Sequence, residues 1–481
     1  MEKTESKKII FVEPRGSAAN VFSSQMTLPL LGPVYLATML KNEGYNARVY
    51  NENLLGRDVA MHELDADILC ITGLTSTIER GYEIAKDFKA SRPEGKVIIG
   101  GIHASFMKEE AAKYADNVVI GEGEDVILDL IKNGSSEKFI HSRQLSDLSS
   151  LPAPDFTVLK NYQGMSMTPI MTSRGCPFGC NFCSVTAMFG RKYRTNSAEQ
   201  VIKEFRNIKT KTAFFYDDNL CADKQRSYEI FNIIAKENLG IKWSAQVRCD
   251  AAQDNRLLKR MADAGCDRVF IGFESVNSRT LKGYKKNQSL DDIVLAIKRF
   301  HEYGIKIHGM FVLGSDEDDK SIFNATNDFS NAQDIDSVQY SILTPLPGTP
   351  VYNMLAAQKR LLHRVWEYYD GMHVVFRPKL LSPMELQQGI IDSYKKFYTS
   401  TKLLKGALNV FYDQTINRVS SALGGLKKYA PKNCDTTLLG KVIIRRWLNL
   451  NKSYLDYLKR IKTAYEGSKL KINAPVSSHS L

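Results

Sequence analysis

Residues 171–194 read MTSRGCPFGCNFCSVTAMFGRKYR, and within this stretch Cys176, Cys180 and Cys183 fall inside eight positions. A closed structural zinc site needs four protein ligands, yet the nearest histidines, His141 and His301, lie far away along the chain. Three thiolates at offsets of four and three, on a loop with glycine and proline, can instead hold three irons of a 4Fe-4S cluster. The fourth iron would then remain open, as a cluster requires if it is to bind and reduce a substrate molecule.

The remaining cysteines are scattered singly through predicted strands and helices: Cys70, Cys221, Cys249, Cys266 and Cys434. A lone cysteine in such a position is usually a small buried hydrophobe. The N-terminal sequence MEKTESKKIIFVE lacks the apolar run of a secretory signal, and no run of about 18 apolar residues predicts a membrane span. We therefore expect a cytoplasmic protein whose cysteines bind metal or are buried, rather than forming disulfides.

The net charge of +12 is concentrated at the C-terminus. Residues 401–481 contain 15 Lys and Arg against 4 Asp and Glu, a net charge of +11, which leaves +1 for residues 1–400. Any anionic partner is therefore expected to bind the C-terminal region.

Residues 1–140 are predicted to form an α/β domain with a doubly wound parallel sheet. Five short runs rich in Val and Ile, from KIIFVE to NVVIGEGED, alternate with helical patterns, as in such sheets. Ligands of this architecture bind beyond the carboxyl ends of the strands. The segments 13–16, 72–76, 100–104 and 121–123 follow those ends and are small, polar and glycine-rich, which suits close approach of the backbone to a large ligand. Tight turns in an open sheet are the alternative explanation.

A second alternation of strands and helices follows a predicted linker over residues 141–166, which contains Pro152 and Pro154. Six βα units, from TPIMTSR to VQYSIL, predict a partial (β/α)6 TIM barrel over residues 167–375. The chemistry of such a barrel lies at the carboxyl ends of its strands. Residues 376–481 are predicted to form a basic, mostly helical C-terminal region. A chain of 481 residues is too long for a single hydrophobic core, in keeping with this division.

The pattern CxxxCxxC after the first strand of a six-unit barrel resembles the radical S-adenosylmethionine (SAM) superfamily. The resemblance implies that Cys176, Cys180 and Cys183 bind a 4Fe-4S cluster whose open iron is chelated by the amino and carboxylate groups of S-adenosylmethionine. It also implies that an electron from a ferredoxin or flavodoxin-type reductant leads to cleavage of the carbon–sulfur bond and a 5′-deoxyadenosyl radical. The aromatic Phe182, just before the third cysteine, is typical of the family.

Polar residues at successive strand ends match family positions that bind S-adenosylmethionine. Asp217, Asp218 and Asn219 end the second strand, where the family has groups that accept hydrogen bonds from the methionyl ammonium. Gln246 and Arg248 end the third strand, and a guanidinium there resembles the family's partner for the methionyl carboxylate.

Two further strands complete this set. Glu274 matches a family glutamate near the ribose and methionine. Phe311 and Leu313 lie in a segment that resembles the strand lining the adenine with apolar atoms and backbone amides. Taken singly, each polar residue in the set also reads as an ordinary ion pair at a strand end, but their occurrence at successive strand ends favours the cofactor interpretation.

The N-terminal sheet resembles the cobalamin-binding domain of one branch of this superfamily, and the resemblance spans about residues 8–375. Cobalamin would contact the carboxyl edge of the sheet through Thr72, Leu74, Ser76, Gly100, Gly101, His103, Gly121, Glu122 and Gly123. The DxHxxG signature that supplies a histidine ligand to cobalt in many cobalamin proteins is absent, because the first loop reads EPRGSAANVFSS. Members of this branch often lack it. A local hydrogen bond is the alternative role for His103.

The segment HVVFRPKLLSPMELQQGIIDSYKKFY resembles the region after the barrel in hopanoid methylases, which act on membrane lipids. We therefore expect a cobalamin-dependent methyltransferase acting on an unactivated carbon of a hydrophobic small molecule or lipid. The methyl group of S-adenosylmethionine is electrophilic, and an sp3 carbon has no lone pair to attack it. A substrate radical must form first and methylcobalamin must then supply the methyl group, so the cofactors carry the chemistry and no acid–base dyad is needed.

Residues 436–462 predict a basic amphipathic helix whose apolar residues recur at steps of three or four. Its apolar stripe consists of Leu439, Ile443, Trp447, Leu450, Tyr454, Leu458 and Ile461. Such a helix can lie in the interface of an anionic membrane, which predicts peripheral contact with the inner face of the membrane. Packing on the barrel, with the lysines facing solvent, is the alternative.

Three other functions remain open at this point. The same barrel without cobalamin would catalyse cyclisation, carbon–carbon coupling or rearrangement, and ring closure would remove two hydrogens from the substrate. A tRNA-modifying enzyme would use the basic tail on phosphates, but the N-terminal domain lacks the three cysteines of a methylthiotransferase's second cluster, so we do not expect a nucleic-acid partner. A non-enzymatic cobalamin or redox sensor would not need the cofactor residues of the barrel.

Overall fold

The computed structural model describes residues 7–17, 28–398 and 445–466. The N-terminal part of the chain forms the first of two parallel sheets. Its strands are β1 (Lys8–Glu13), β2 (Asn46–Asn51), β3 (Ile68–Thr72), β4 (Lys96–Gly100), β5 (Asn117–Ile120) and β6 (Phe139–His141). Its helices are α1 (Leu31–Asn42), α2 (Glu52–Leu55), α3 (Ile78–Ser91), α4 (Ile102–Phe106), α5 (Lys108–Ala111) and α6 (Ile127–Asn133). The strand order is β2-β1-β3-β4-β5-β6, as in a doubly wound sheet.

The strands of this sheet are nearly continuous apolar runs because helices cover both faces. On one face, Val12 and Ile99 pack against Phe88 of α3. On the other, Phe11 and Ile98 pack with α1 and α6. The edge strand β6 was not among the five predicted strands, because three residues, two of them half-buried and one exposed, are too few to give a recognisable pattern.

The second sheet is an open barrel of six parallel strands. They are β7 (Thr168–Ile170), β10 (Thr212–Phe215), β11 (Lys242–Val247), β12 (Cys266–Glu274), β13 (Lys306–Leu313) and β14 (Ser337–Ile342). The order β14-β13-β12-β11-β10-β7 leaves β7 and β14 as edges, so the six predicted units form a partial barrel as expected. The connecting helices are α7 (Ser184–Phe189), α8 (Ala198–Arg206), α9 (Lys224–Glu237), α10 (Asn255–Asp263), α11 (Ser278–Gly283), α12 (Leu290–Glu302), α13 (Ser321–Ala332) and α14 (Pro350–Ala357).

A two-stranded hairpin closes the base of the cysteine loop. Its strands, β8 (Ser173–Arg174) and β9 (Arg194–Thr195), are antiparallel and pair Arg174 with Arg194. Gly175 follows with φ +86°, and a Cβ there would meet the carbonyl oxygen of Lys192. Glycine therefore lets the chain leave the hairpin and enter the loop.

The stretch predicted as a linker packs along the first sheet. Leu148 and Leu151 are buried beside Tyr35, and Leu159 forms a parallel bridge with Val49 of β2. Because its apolar residues are buried and one of them pairs with β2, this stretch is packed on the first sheet.

The C-terminal helices pack on both units. Helix α15 (Pro383–Phe397) begins at a capping box formed by Ser382 and Glu385 and packs on α13 and β14. Helix α16 (Lys452–Glu466) follows a helical stretch over residues 445–450. No helix within the described ranges is both long and apolar enough to cross a membrane.

The apolar stripe predicted to contact a membrane is largely covered by the protein itself. Trp447, Tyr454, Leu458 and Ile461 are at most 4% exposed, and the last three belong to the core that also contains the first sheet. Leu450 is 41% exposed, whereas Leu439 and Ile443 lie outside the described residues. The structure therefore favours the packing alternative over membrane contact, because a face buried in a core is not available to lipid.

Candidate active site

The three predicted cluster ligands lie on the loop that joins β8 to α7. Cys180 is buried, while Cys176 and Cys183 are half-buried. Burial raises the pKa of Cys176 and of Cys183. Backbone N–H groups act in the opposite direction. The amide of Phe178 donates to Cys176, and amides in the first turn of α7 donate to Cys183. Amide donors of this kind stabilise bound thiolates.

The thiols interact electrostatically with one another, Cys183 with both Cys180 and Cys176. Across the described part of the chain, however, no group of three or more His, Cys, Asp or Glu side chains is close enough to hold a single metal ion. Thiolates on different irons of a cluster lie farther apart than the ligands of one ion, so this spacing is compatible with a cluster. The assignment of the three cysteines stays a prediction.

Two buried cations lie next to the cysteine loop. The guanidinium of Arg248 stacks on the ring of Phe178 at 3.7 Å, and its Nη2 donates to the carbonyl oxygen of Lys286 at 2.7 Å. The charge of Arg248 acts against the burial that raises the pKa of Cys176. The charge of Cys180 contributes to the raised pKa of Lys286. A cluster held by three thiolates is anionic, so cations at this position suit it.

Glu274 at the end of β12 is occupied by an ion pair. Its Oε1 lies 2.6 Å from the Lys286 ammonium, and both side chains are 8% exposed. Burial is the largest influence and acts to lower the pKa of Lys286, but the charge and hydrogen bond of Glu274 together with the charge of Cys180 raise this pKa overall. Gly272 makes room for the pair, because a Cβ at that position would meet the Glu274 carboxylate and, at 2.8 Å, the Lys286 ammonium. A contact between Glu274 and a ligand would therefore involve Lys286 as well.

The polar residues after β10 have different environments. Asp217 is 0% exposed and accepts hydrogen bonds from Thr172 and Ser173, so its oxygens are directed into the protein. Burial raises the pKa of Asp218 to about 6, although a hydrogen bond from the Gly175 amide acts to lower it. Asn219 is buried, and neither atom of its side-chain amide has a partner. A buried unpaired amide is costly in a finished core, which suggests that a ligand completes it.

The predicted residues on β13 belong to the outer face of the barrel sheet. Phe311 and Leu313 are 0% exposed and pack in the core between the strands and helices. Their side chains cannot line a ligand site in the barrel interior, because side chains alternate between the two faces of a strand. Met310 and Val312 are half-buried on the other face, together with Gln246 of β11.

The predicted segments of the first sheet meet at its carboxyl edge, because β3, β4 and β5 are neighbours. Thr72 ends β3 and Gly100 ends β4. Leu74 is 44% exposed, and Ser76 lies in the same turn. Gly101, Gly121 and Gly123 lie at the same edge, and a Cβ at Gly101 would be 2.8 Å from Thr72 Oγ1. Gly101 and Gly121 have φ values of +94° and +101°, which favour glycine.

Glu122, at the same edge, joins the first sheet to the barrel. It is 5% exposed and forms a bidentate ion pair with Arg194, with N–O distances of 2.6 and 2.7 Å. Arg174 lies 3.3 Å from Glu122 and 2.6 Å from Glu124. Burial raises the pKa of Glu122, but both arginines lower it overall. The carboxylate is therefore engaged by the protein rather than free for a ligand.

His103 is directed into the protein as well. Its side chain is 0% exposed, with Nδ1 3.3 Å from Thr75 Oγ1 and Nε2 3.4 Å from Glu110. Its ring also lies 5.0 Å from the ring of Trp366. The local hydrogen bond, which was the alternative for this residue, is therefore what the structure contains.

Segments that follow the carboxyl ends of the two sheets contact each other, and the boundary between the two units along these segments is called the cleft below. Tyr216, just after β10, is close enough for Glu13 at the end of β1 to raise its pKa. Gly348, after β14, approaches the ring of Phe106 in α4. Both contacts, like that of Arg194 with Glu122, join segments that follow strand ends, so a ligand in the cleft would touch both units.

Comparison with known proteins agrees with this arrangement. The family model described as Radical SAM superfamily matches residues 170–328, and the B12 binding domain model matches residues 18–131. An uncharacterized methyltransferase of Pyrococcus horikoshii is 30% identical over 435 residues, which cover 82% of this chain and 94% of that protein. This chain belongs to the radical SAM superfamily, in the branch with a B12-binding domain.

The other comparisons support the same radical SAM branch. The bacteriochlorophyllide d C-12(1)-methyltransferase of Chlorobaculum tepidum is 28% identical over 419 residues, covering 84% of this chain and 90% of that protein. The hopanoid C-3 methylase of Methylococcus capsulatus is 25% identical over 388 residues, covering 74% of each. The structure of OxsB, a cobalamin-dependent S-adenosylmethionine radical enzyme, has the same fold, with a TM-score of 0.64 and 16% identity over 99% of this chain and 83% of that chain.

These findings confirm the predicted family, fold class and cofactor set of this radical SAM enzyme: a 4Fe-4S cluster, S-adenosylmethionine and cobalamin. The polypeptide also fits these groups. Bound cofactors would complete three features of the protein: the unpaired amide of Asn219, the cations beside the cysteine loop, and the exposed Leu74 next to closely packed glycines.

Sequence reasoning missed several residues of this radical SAM site. Lys286 and Phe178 contact predicted residues, and Arg174, Arg194 and Glu124 join the two units. Arg174 and Glu124 lie within the stretches TSRGC and GEGED, which could have marked them. Lys286 gave no such signal, because a lysine in KGYKKNQ reads as a surface residue.

Proposed function

We propose that this enzyme is a cobalamin-dependent methyltransferase that adds a methyl group to an unactivated carbon of a hydrophobic substrate. The observation that carries the proposal is the contact between the cysteine hairpin of the barrel and the carboxyl edge of the first sheet. The cysteine loop and the glycine-rich edge of the first sheet border the same space, because Arg174 and Arg194 of the hairpin bind Glu122. A substrate there would be within reach of both predicted cofactors.

The lining of the barrel supports an apolar substrate. Phe214 and Phe270 are half-buried on the inner face of the strands, with ring centroids 5.6 Å apart, and Met310 and Val312 continue this surface on β13. His308 on the same face is neutral at ordinary pH, because burial and the charge of Arg268 lower its pKa to about 4. The relatives' printed names are in keeping with this, since one acts on bacteriochlorophyllide d and another on a hopanoid.

The cofactors would supply the reactive groups, namely hydrogen-atom abstraction by the cluster with S-adenosylmethionine and methyl donation by cobalamin. Cys176, Cys180 and Cys183 would hold the cluster. Asp218 and Asn219 would accept hydrogen bonds from the ammonium of S-adenosylmethionine, and the unpaired Nε of Arg248 would donate to its carboxylate. Thr72, Leu74, Ser76, Gly100, Gly101, Gly121 and Gly123 would contact cobalamin.

The test is anaerobic reconstitution of the full chain with iron, sulfide and cobalamin. We expect retained corrin absorbance and, after reduction by dithionite with S-adenosylmethionine, formation of 5′-deoxyadenosine that is lost in Cys180→Ala. Incubation with an apolar extract and methyl-deuterated S-adenosylmethionine should yield a product bearing the deuterated methyl group. Lys236→Ala, an exposed position at the far end of α9, serves as a control.

Two outcomes would contradict the proposal. Cleavage of S-adenosylmethionine by protein that retains no corrin would indicate a radical enzyme without methyl transfer. A product that has lost two hydrogens would indicate ring closure.

A further inference from the structure

A basic cavity lies against the outer side of the cysteine loop. Its volume is about 430 Å³, and its lining includes Gly179 of the loop together with Arg191, Lys282 and Lys285. The net positive charge of the sequence lies mostly in the C-terminal region, so this cluster of cations is a result of the fold.

Hydrogen bonds attach both sides of the cavity to the loop. Arg191 Nε donates to the carbonyl oxygen of Pro177 at 3.1 Å. Asn181, between Cys180 and Cys183, donates through Nδ2 to the carbonyl oxygen of Gly283 at 2.9 Å and through its backbone N–H to that of Tyr284. The lysines on either side of Gly283 and Tyr284 are thereby held next to the cluster-binding segment.

These cations are exposed, in contrast to the paired cations deeper in the site. Arg191, Lys192, Lys282 and Lys285 all face solvent, and none forms an ion pair with another side chain in the described ranges. Unpaired exposed charge attracts an oppositely charged protein over a distance set by the ionic strength.

The cavity is poorly suited to a small anion. Its cationic side chains are exposed, and its buried unpaired polar atom, Gln288 Oε1, is an acceptor that would repel an anion. An open rim of exposed lysines is typical of surfaces that form weak, electrostatically guided encounters between proteins.

We propose that this surface docks a small acidic electron-transfer protein that reduces the cluster. The inference rests on the proposed function, because only a redox-active cluster needs such a partner. One electron passes at each encounter: the reduced donor protein is oxidised by one electron and the cluster is reduced by one, with no bond made or broken. Docking here places the donor against Gly179, next to Cys180 in the chain, and beside the turn to which Asn181 is hydrogen-bonded.

The experiment measures binding of an oxidised, acidic flavodoxin to the reconstituted full chain by biolayer interferometry at low and high salt. Lys282→Glu together with Lys285→Glu should raise Kd about tenfold at low salt, and the wild-type Kd should rise with ionic strength. Lys236→Glu together with Lys242→Glu is the matched control. It makes the same charge change at exposed lysines at the opposite end of the barrel, beside α9 and the start of β11, and should leave Kd within about twofold.

Cleavage of S-adenosylmethionine with dithionite separates the two proposals. If dithionite supports cleavage in wild type and in the Lys282/Lys285 variant, the cluster functions, and the binding data alone decide the docking proposal. Equal Kd values for that variant and the control would overturn it. So would competition by inorganic phosphate at equal ionic strength, which would identify a small-anion site instead. Failure of cleavage in wild type with dithionite would refute the proposed function.

Discussion

At the scale of single residues, Glu13 is an unusual group in the cleft. It is 7% exposed. Burial raises its pKa to about 7, although a hydrogen bond from the Leu30 amide acts to lower it. A carboxyl whose pKa is higher in the folded than in the unfolded state stabilises the fold fully at low pH. That stability is lost as the pH rises from about 4.5 to about 7.

Glu13→Gln should remove this loss, because the amide does not ionise. We expect the variant to lie close to wild type at pH 4 and to exceed it at pH 8 by roughly 3 kcal/mol in the free energy of unfolding. Urea denaturation at both pH values measures the difference. Glu204, whose pKa is also raised to about 7, titrates in both proteins and cancels in the comparison. Identical pH profiles for the two proteins would show that Glu13 is ionised without penalty.

The ion pair of Glu274 and Lys286 shows how far residue-level prediction can reach. The sequence identified Glu274 from its place at the end of a strand, but its partner lies twelve residues later, beyond α11. A buried lysine is rare enough that an unpaired surface position is the default reading. Only the turn after α11, which brings Lys286 back over Gly272, makes the pair possible.

At the scale of elements, α16 owes its place to buried contacts with the rest of the protein. Leu458 is 0% exposed in the core shared with the first sheet, whereas Leu450 is 41% exposed just before the helix. Leu458→Ala should cost about 3 kcal/mol of unfolding free energy, because it leaves a cavity. Leu450→Ala should cost less than about 0.5 kcal/mol. Chemical denaturation of both variants tests this, and equal losses would mean that α16 is not docked as described.

Strand β13 illustrates a limit at the same scale. Its burial alternates residue by residue through Lys306–Leu313, and the alternation itself is a property of any strand. Both faces of its second half carry apolar residues, Met310 and Val312 on one side and Phe311 and Leu313 on the other. Period-two patterning cannot distinguish the interior of a barrel from its outer core when both are apolar, so the pattern did not show that the side chains of Phe311 and Leu313 lie on the outer face. Contact of their backbone amides with a ligand stays a prediction.

At the scale of the whole molecule, the contact of Glu122 with Arg174 and Arg194 holds the cysteine hairpin against the first sheet. Glu122→Ala would leave two buried guanidinium groups short of a partner, and we expect a loss of about 3 kcal/mol in unfolding free energy. Arg143→Ala is the control, because Arg143 is 90% exposed and lies 3.5 Å from Asp125 near the same edge, and exposed pairs contribute about 0–1 kcal/mol. Thermal unfolding measures both. Similar effects for the two variants would argue against the role of Glu122.

The sequence by itself determined the family, both sheets, the cofactor set and the segments that border the cleft. These features depend on local patterns: cysteine spacing, apolar runs of strand length, and glycines that must adopt positive φ at Gly101 and Gly121. The tertiary structure alone decided which polar groups at strand ends are free. Asp217, Glu122 and His103 are engaged by residues 28 to 72 positions away, because the partners of a side chain are those that folding brings to it and not its neighbours along the chain.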